Sequence, residues 1–252
     1  MFYIGIDIGS TASKTAVFDS EKLVSCFTLP TGWSSVETAE SIKVRLCEQG
    51  YFEESIIVAT GYGRVSVPYA KKTVTEITCH GKGAYYLFNE NCTVIDIGGQ
   101  DTKVITIENG NVTNFTMNDK CAAGTGRFLE LMAGTLGLSI NEMSELSKQG
   151  KGTSISSMCT VFAESEVISL IGNGEKRENI AFGVIESITS KVKSLCQKHS
   201  GANNFVLTGG LCENTAVIES LSKKLGQPIK ASSMGRYAGA IGAARVARSI
   251  NN

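Results

Sequence analysis

Two segments of the chain place an aspartate, an isoleucine and a glycine at the end of an expected strand, followed by small or polar residues in a tight turn. They begin at Asp7 and at Asp96. Glycine lets backbone N–H groups approach phosphate oxygens closely, and hydroxyl and ammonium groups add donors and positive charge. A single turn of this kind is more often a plain hairpin, so the prediction depends on there being two. The candidate phosphate-binding residues are Gly9, Ser10, Thr11, Lys14, Gly98, Gly99, Gln100 and Lys103.

The two aspartates are themselves candidate ligands for a divalent cation. Mg²⁺ keeps much of its hydration shell when it binds carboxylates, so we expect Asp7 and Asp96 to hold it through water. A third turn, with the sequence TGGLCEN, joins a buried-type strand to a helix. Its Gly209 and Gly210 allow an adenosine to lie against the backbone, and Asn214 completes this candidate site.

Two cysteine segments carry a third kind of candidate chemistry. NDKCAAGTGRF places Cys121 ahead of two glycines, and CTVFAESEVIS places Cys159 ahead of an apolar helical pattern. We expect both cysteines at the start of a helix, where free N–H groups and the helix dipole stabilise a thiolate. Spacing alone leaves two interpretations open, namely metal ligands and thiols of the core. The chain has no CxxC pair.

Composition limits the classes of function. The chain has 252 residues, 42% of them hydrophobic, and its 24 basic and 24 acidic residues cancel. Without a basic run, neither nucleic acid nor a membrane surface is an expected partner. The N-terminal segment lacks a basic region ahead of its apolar run, and no window is long and apolar enough for a membrane span, so we expect a cytoplasmic protein.

The remaining cysteines are interpreted as structural. A reducing cytosol keeps thiols free, so the eight cysteines are not expected to form a disulfide framework. Most are expected to be buried as small hydrophobic residues. The residues interpreted as structural are His80, Cys26, Cys47, Cys79, Cys92, Cys196 and Cys212.

The order of the expected elements repeats along the chain. Each half opens with three strands and continues into helices, and Asn109-Gly110 is a strong hairpin signal in the second half. The repeat predicts two similar α/β halves, domain I from residues 1–91 plus 235–252 and domain II from residues 92–234. Strands are expected at 2–10, 14–20, 23–29, 55–60, 73–77, 93–99, 102–110, 111–117 and 204–210. Helices are expected at 34–49, 78–88, 121–136, 159–171, 177–199, 214–225 and 237–249.

Five segments of the chain together match one family. DIGSTASK, TGYGR, DIGGQDTK, NDKCAAGTGRFLE and CTVFAESEVIS resemble the ATP-dependent activators of 2-hydroxyacyl-CoA dehydratases, which are related to benzoyl-CoA reductase ATPase subunits. These proteins belong to the acetate kinase, sugar kinase, Hsp70 and actin superfamily. The resemblance covers nearly the whole chain. It implies an α/β fold with two ribonuclease-H-like domains of the actin/Hsp70 type, each with a mixed five-stranded sheet flanked by helices, and ATP with Mg²⁺ in the cleft between the domains.

The same resemblance assigns the cysteine segments. It implies that Cys121 and Cys159 from two subunits hold one four-iron four-sulfur cluster across a homodimer. A two-fold axis doubles two cysteines into the four thiolates that such a cluster takes. The implied function is ATP hydrolysis coupled to electron transfer, from a reduced ferredoxin or flavodoxin to an iron–sulfur dehydratase or reductase that acts on an acyl-CoA.

Other candidate site residues each have a structural alternative. Glu76 matches the superfamily's first interdomain connection, where an acidic residue approaches the nucleophilic water or Mg²⁺, and it would equally serve as a helix-capping carboxylate. Asp101 would orient water, or it is present because aspartate is a common residue in turns. Gly124, Gly126 and Arg127 would line the nucleotide cleft, or the glycines only permit close packing at a helix start.

Two other classes of function remain open at this level. A small-molecule kinase of the same superfamily would use the cleft to position a hydroxyl or carboxylate acceptor for phosphoryl transfer. A non-enzymatic nucleotide switch or actin-like assembly module would bind the nucleotide without that chemistry. Neither class needs Cys121 and Cys159, so the cysteine pair favours the electron-transfer protein.

Overall fold

The computed structural model describes residues 1–156, 159–199 and 203–250. The strands within these residues are β1 Phe2–Ile8, β2 Ala12–Asp19, β3 Lys22–Pro30, β4 Ser55–Thr60, β5 Lys72–Thr73, β6 Cys92–Ile97, β7 Thr102–Glu108, β8 Asn111–Asn118, β9 Phe205–Gly209 and β10 Lys230–Ala231. The α-helices are α1 Ser35–Glu48, α2 Glu76–Phe88, α3 Gly126–Thr135, α4 Ile140–Ser147, α5 Thr160–Gly172, α6 Arg177–Cys196, α7 Thr215–Leu225 and α8 Ala238–Ser249.

The strands form two mixed five-stranded sheets. The first has the order β3-β2-β1-β4-β5, with β1 antiparallel to β2 and parallel to β4. The second has the order β10-β9-β6-β7-β8, with β9 parallel to β6 and to β10. Helices flank both sheets, and the predicted α/β fold class is therefore confirmed.

The chain divides into two compact units. Unit 1 comprises Met1–Cys92, Ile105–Asn114 and Met234–Asn252, and unit 2 comprises Thr93–Val104 and Phe115–Ser233. The boundaries of domains I and II stay a prediction. Residues 251 and 252 of predicted domain I, and residues 157, 158 and 200–202 of predicted domain II, lie outside the described part of the chain.

In unit 1 the first sheet is covered on both faces. Ile4, Ile6 and Ile8 of β1 share one buried cluster with Ile42 and Leu46 of α1. The opposite face packs against the alanine-rich helix α8. Successive strand residues point to opposite faces of a sheet, which is why β1 and β4 read as almost continuous apolar runs.

In unit 2 one large core joins the second sheet to its helices. Ile95 and Ile97 of β6 share a buried cluster with Phe128 of α3, Ile188 of α6 and Leu221 of α7. Burial of these side chains supplies the main driving force for folding of the unit. Among the described residues, no helix has the length and apolar character that a membrane span requires.

Three glycines in unit 1 bring α2, α8 and β1 into backbone contact. A Cβ atom added to Gly242 of α8 would lie 1.7 Å from the carbonyl oxygen of Cys79, and one added to Gly83 of α2 would lie 1.8 Å from the carbonyl oxygen of Ala238. A Cβ atom on Gly5 of β1 would lie 1.8 Å from a carbonyl oxygen of α8. Because backbone atoms cannot move aside like a flexible side chain, this packing fixes the strand that carries Asp7.

We expect Gly242→Ala to lower the free energy of unfolding by about 3 kcal/mol, since the new methyl group overpacks a rigid contact. The measurement is the urea midpoint of the purified variant. Gly134→Ala is the matched control, because Gly134 lies in α3 and a Cβ atom there meets no atom within 4 Å. Helix propensity favours alanine there by about 1 kcal/mol, so a Gly242→Ala variant as stable as Gly134→Ala would contradict the packing argument.

The predicted helix 121–136 starts later than expected. It begins at Gly126, so the prediction that Cys121 lies at a helix start is wrong. Gly124 has a left-handed φ of 93°, which interrupts helical geometry, and the Thr125 hydroxyl donates to the carbonyl of Ala122 at 2.7 Å. The residues after Cys121 therefore form a turn instead of the first turn of α3.

The remaining differences are local. The predicted strand at 73–77 is limited to β5, because Thr75 caps α2 and accepts a hydrogen bond from the Thr78 N–H at 3.5 Å. Helix α4 and strand β10 were not predicted. The sequence contained a signal for α4, since Ser139 and Glu142 form a capping box.

Candidate functional site

The first phosphate turn joins β1 to β2. Asp7, the penultimate residue of β1, is 5% exposed, Gly9 and Ser10 are partly buried, and Thr11 is exposed. A Cβ atom on Gly9 would lie 2.8 Å from the carbonyl oxygen of Ala12, so the tight turn needs glycine. Its backbone is held from the side by the Thr31 hydroxyl, which donates to the carbonyl of Gly9 at 2.7 Å.

Lys14 lies opposite Asp7 in the β1–β2 pairing. Its ammonium group approaches the turn, 3.3 Å from the position that a Cβ atom on Gly9 would occupy. Within the described part of the chain, the Lys14 side chain makes no hydrogen bond or ion pair. This ammonium is therefore available to a phosphate at the turn.

The Asp7 carboxylate is enclosed by residues that the sequence analysis did not assign to the site. The Nε2 atom of His80, on α2, lies 3.9 Å from Asp7 Oδ2. Cβ atoms added to Gly61 and Gly239 would lie 2.4 Å from Oδ1 and 2.5 Å from Oδ2. Gly61 also has a φ of 84°. Its position directly after a buried strand, in TGYGR, was the signal that could have identified it.

The second phosphate turn joins β6 to β7 and has a denser network. The Thr208 hydroxyl donates to Asp96 Oδ1 at 3.0 Å. The Lys103 ammonium lies 3.5 Å from Asp96 Oδ2 and 2.7 Å from Asp101 Oδ2. Gly98 donates its N–H to the Asp101 carbonyl at 2.9 Å, which closes the turn. Two carboxylates and one ammonium group are thus arranged in a row.

The similarity between the two turns extends beyond the Asp-Ile-Gly segment. In each unit the aspartate pairs across a parallel strand with a threonine, and a glycine with φ near 85° follows that threonine. The correspondence between the Thr-Gly of TGYGR and that of TGGLCEN was not predicted. The corresponding positions in unit 1 and unit 2 are Asp7 and Asp96, Lys14 and Lys103, Thr60 and Thr208, and Gly61 and Gly209.

Helix α3 starts directly on the second turn. The N–H groups of Gly126 and Arg127 donate to the carbonyls of Gly98 and Gly99 at 2.9 and 2.8 Å. The Thr102 hydroxyl donates to the carbonyl of Gly124 at 2.6 Å. Gly124 and Gly126 therefore serve close packing here, and their predicted contact with a nucleotide stays a prediction. Gln100 lies exposed in the turn itself.

The third turn follows β9. Gly209 has a φ of 85°, and Gly210 is exposed, with no atom within 4 Å of a Cβ added there. Asn214 caps α7, since its Oδ1 accepts from the Val217 N–H at 3.1 Å and its Nδ2 donates to the Ser144 hydroxyl at 2.6 Å. The open backbone at Gly210 suits a flat ring, whereas Asn214 already has structural partners.

Glu76 is the first residue of α2. Its carboxylate lies in the first turn of the helix, where the helix dipole favours negative charge. This position agrees with the helix-terminus alternative. Its catalytic role stays a prediction.

Cys121 and Cys159 are both exposed, in unit 2. Asn118 holds the Cys121 loop, because its Nδ2 donates to the carbonyls of Cys121 and Ala123 at 2.8 and 3.2 Å. Cys159 is the N-cap residue of α5, as predicted, and its thiol makes no capping hydrogen bond. Both thiols are thus presented outward from a loop that leads into a helix.

Five of the other six cysteines are at least partly buried, whereas Cys47 is exposed. Cys79, Cys92, Cys196 and Cys212 are buried. Burial raises the pKa of the Cys79 and Cys196 thiols to about 12, and that of the partly buried Cys26 likewise. At neutral pH the thiols of Cys26, Cys79 and Cys196 stay protonated and are poor metal ligands.

Comparisons with known proteins cover nearly the whole chain. The sequence model of the BadF/BadG/BcrA/BcrD ATPase family matches residues 4–247. The (R)-2-hydroxyglutaryl-CoA dehydratase activating ATPase of Acidaminococcus fermentans is 43% identical over 250 residues, which cover 97% of this chain and 96% of that one.

The crystal structure of the A. fermentans (R)-2-hydroxyglutaryl-CoA dehydratase component A matches with a TM-score of 0.93, at 41% identity and complete coverage of both chains. The activator of the 2-hydroxyisocaproyl-CoA dehydratase from Clostridium difficile, with bound ADPNP, matches with a TM-score of 0.91 at 36% identity, covering 100% of this chain and 97% of that one.

Proposed function

Because the chain belongs to the BadF/BadG/BcrA/BcrD ATPase family, we propose that it is an ATP-hydrolysing activator that delivers a low-potential electron to a partner enzyme. The similar proteins are named as activators of (R)-2-hydroxyglutaryl-CoA dehydratase and 2-hydroxyisocaproyl-CoA dehydratase. In the proposal the acceptor is an iron–sulfur dehydratase or reductase of this kind. The observation that carries the proposal is the pair of exposed cysteines in unit 2, Cys121 and Cys159.

ATP hydrolysis in this proposal depends on both phosphate turns. Asp7 and Asp96 hold Mg²⁺ through water, and the ammonium of Lys14 neutralises phosphate charge. Asp101 orients the attacking water, with Glu76 as the second candidate for that role. The ADPNP bound to the C. difficile activator supports nucleotide binding by this fold.

The proposed four-iron four-sulfur cluster is shared by two copies of the chain. Each copy supplies the thiolates of Cys121 and Cys159, and soft thiolates are the ligands that such clusters take. Among the described residues, no three His, Cys, Asp or Glu side chains are grouped so that they could hold a metal ion. A second copy completes the four ligands. When bound, the cluster supplies one-electron redox chemistry.

Helix α5 supports the proposed homodimer. Its apolar side chains Val161, Phe162, Ile168 and Ile171 are 65%, 68%, 56% and 45% exposed. Several large apolar side chains exposed along one helix are typical of an interaction surface. Since Cys159 caps the same helix, a second copy that covers this surface also meets the proposed iron ligand.

A reduced ferredoxin or flavodoxin is the proposed electron donor. Coupling hydrolysis to electron delivery requires that ATP and ADP interact differently with two states of the protein. The acceptor enzyme stabilises one of these states, so its binding changes the rate of hydrolysis.

The proposal predicts slow ATP hydrolysis by the isolated protein and faster hydrolysis with its acceptor. The experiment uses anaerobically purified, dithionite-reduced protein and ATP labelled in the γ-phosphate, with (R)-2-hydroxyglutaryl-CoA dehydratase as the acceptor probe. We expect the label to appear only as inorganic phosphate, and the dehydratase to become active only when ATP is present.

A matched reaction with ADPNP in place of ATP is the control, because that analogue occupies a nucleotide site without hydrolysis. Stoichiometric transfer of the label to a sugar, an acid or a vitamin would move the protein into the kinase class. Nucleotide binding without hydrolysis, in the presence or absence of the acceptor, would move it into the class of nucleotide switches.

A further inference from the structure

We infer that Lys103 and Thr208 are positioning residues that align Asp96 and Asp101, and that Lys103 does not bind a phosphate. This inference rests on the proposed ATP hydrolysis. It assigns phosphate binding to Lys14 in the first turn and positioning of the carboxylates to Lys103 in the second turn. It departs from the sequence interpretation, which gave Lys14 and Lys103 the same phosphate-binding role.

The burial of Lys103 is the first step of the inference. Its side chain is 3% exposed, equal to that of Asp96. A buried ammonium group is tolerated only when it is paired, because transfer of a charge out of water is costly. The two carboxylates at 2.7 and 3.5 Å provide that pairing. Moving the ammonium to a phosphate would break its contacts with both Asp96 and Asp101.

Asp101 is the most exposed member of this row. Its side chain is 26% exposed, against 3% for Lys103 and 3% for Asp96. Its Oδ2 accepts from Lys103, and its Oδ1 lies over Gly98, 2.4 Å from the position of an added Cβ atom. One oxygen is therefore fixed by the lysine while the other faces the turn, which is the arrangement that a water-orienting carboxylate requires.

Thr208 fixes the inner end of the row. Its hydroxyl donates to Asp96 Oδ1, while Lys103 contacts Oδ2. With both oxygens engaged, the Asp96 carboxylate cannot rotate without breaking a contact. The contacts from Thr208 through Asp96 and Lys103 to Asp101 thus link the position of β9 to the partly exposed carboxylate of Asp101.

Unit 1 shows why the two lysines differ. At the position of Asp101 the first turn has Ala12, five residues after Asp7, as Asp101 is five residues after Asp96. Without that carboxylate, Lys14 has no ion pair among the described residues and approaches Gly9 of the turn. The difference between Ala12 and Asp101 therefore leaves Lys14 available to the nucleotide, whereas Lys103 stays paired inside the protein.

The test compares Lys103→Met with Lys14→Met in steady-state ATP hydrolysis and in equilibrium titration with ADPNP. We expect Lys103→Met to lower kcat by about 10²-fold, as loss of a fixed group in a catalytic array does, and to change KM and the ADPNP dissociation constant by less than about threefold. Lys14→Met is expected to weaken ADPNP binding by about tenfold or more. Weaker ADPNP binding by Lys103→Met, with kcat retained, would overturn the inference.

A second pair of variants covers the case in which Lys103→Met does not fold. Thr208→Val keeps the side-chain volume and removes only the hydroxyl, and Thr60→Val makes the same change at the equivalent buried position next to Asp7. We expect Thr208→Val to lower kcat about tenfold at unchanged KM, and Thr60→Val to have little effect. Equal kcat values for the two variants would refute the positioning role.

The titration separates this inference from the proposed function. If the wild type hydrolyses no ATP in any assay, the proposed function fails. The ADPNP dissociation constants of the two lysine variants still report whether Lys14, and not Lys103, contacts the nucleotide.

Discussion

Cys121→Ser and Cys159→Ser are each expected to abolish most iron binding. Under the proposal, one substitution per chain removes two of the four thiolates across the dimer axis, and a serine hydroxyl is a poor replacement for a soft thiolate. Because a shared site also contributes to association, loss of the cluster should weaken the dimer. The measurement is iron and acid-labile sulfide per protomer, with molecular mass from light scattering, after anaerobic reconstitution.

Cys47→Ser is the matched control for these variants. Cys47 is exposed, like Cys121 and Cys159, but lies in α1 of unit 1. It should retain the wild-type content of four irons per dimer. A brown monomer carrying four irons, or a wild type that stays colourless after reconstitution, would exclude the shared cluster.

The sequence was sufficient for elements whose signals are local. Ser34 was expected to begin α1 and it caps that helix, accepting from the Glu37 N–H at 3.3 Å. Asn109 and Gly110 have positive φ values of 51° and 75°, as a two-residue hairpin turn requires. Such signals depend on a few neighbouring residues, so they can be read without knowledge of the fold.

The sequence was insufficient where a position depends on distant backbone. The turn after Cys121 forms because the N–H of Gly126 finds a partner in the carbonyl of Gly98, which local helix periodicity cannot reveal. The packing of Gly242 on the Cys79 carbonyl is equally remote in sequence. Glycine reads as a flexible residue in a helix, yet here it is the residue that close packing demands.

The candidate site shows the same limit. The two Asp-Ile-Gly turns were visible because their residues are consecutive, and the family that the five motif segments together indicated is confirmed. The pairing of Asp96 with Thr208 joins residues 112 positions apart. Only the parallel register of β6 and β9 brings them together, so no motif in a single segment could predict that contact.

Asp7→Asn and Asp96→Asn are each expected to lower the rate of ATP hydrolysis by about 10²-fold. In the proposal each carboxylate stabilises the charge of hydrated Mg²⁺, and removal of a few kcal/mol of such stabilisation corresponds to a change of this size. The two variants should differ in one respect. Asp96→Asn also removes one of the two carboxylates beside the buried Lys103, so it should lower stability as well as the rate, whereas Asp7→Asn should affect mainly the rate.

Steady-state hydrolysis over a range of Mg²⁺ concentrations, together with the urea midpoint of each variant, tests both parts. Asp19→Asn is the control, because Asp19 is exposed at the far end of β2 and belongs to neither turn. It should match the wild type in rate and in Mg²⁺ dependence. Since a group that holds Mg²⁺ affects the rate through the metal, the deficit of Asp7→Asn should shrink as the Mg²⁺ concentration rises. If both aspartate variants hydrolyse ATP at the wild-type rate, these two turns do not hold the metal ion.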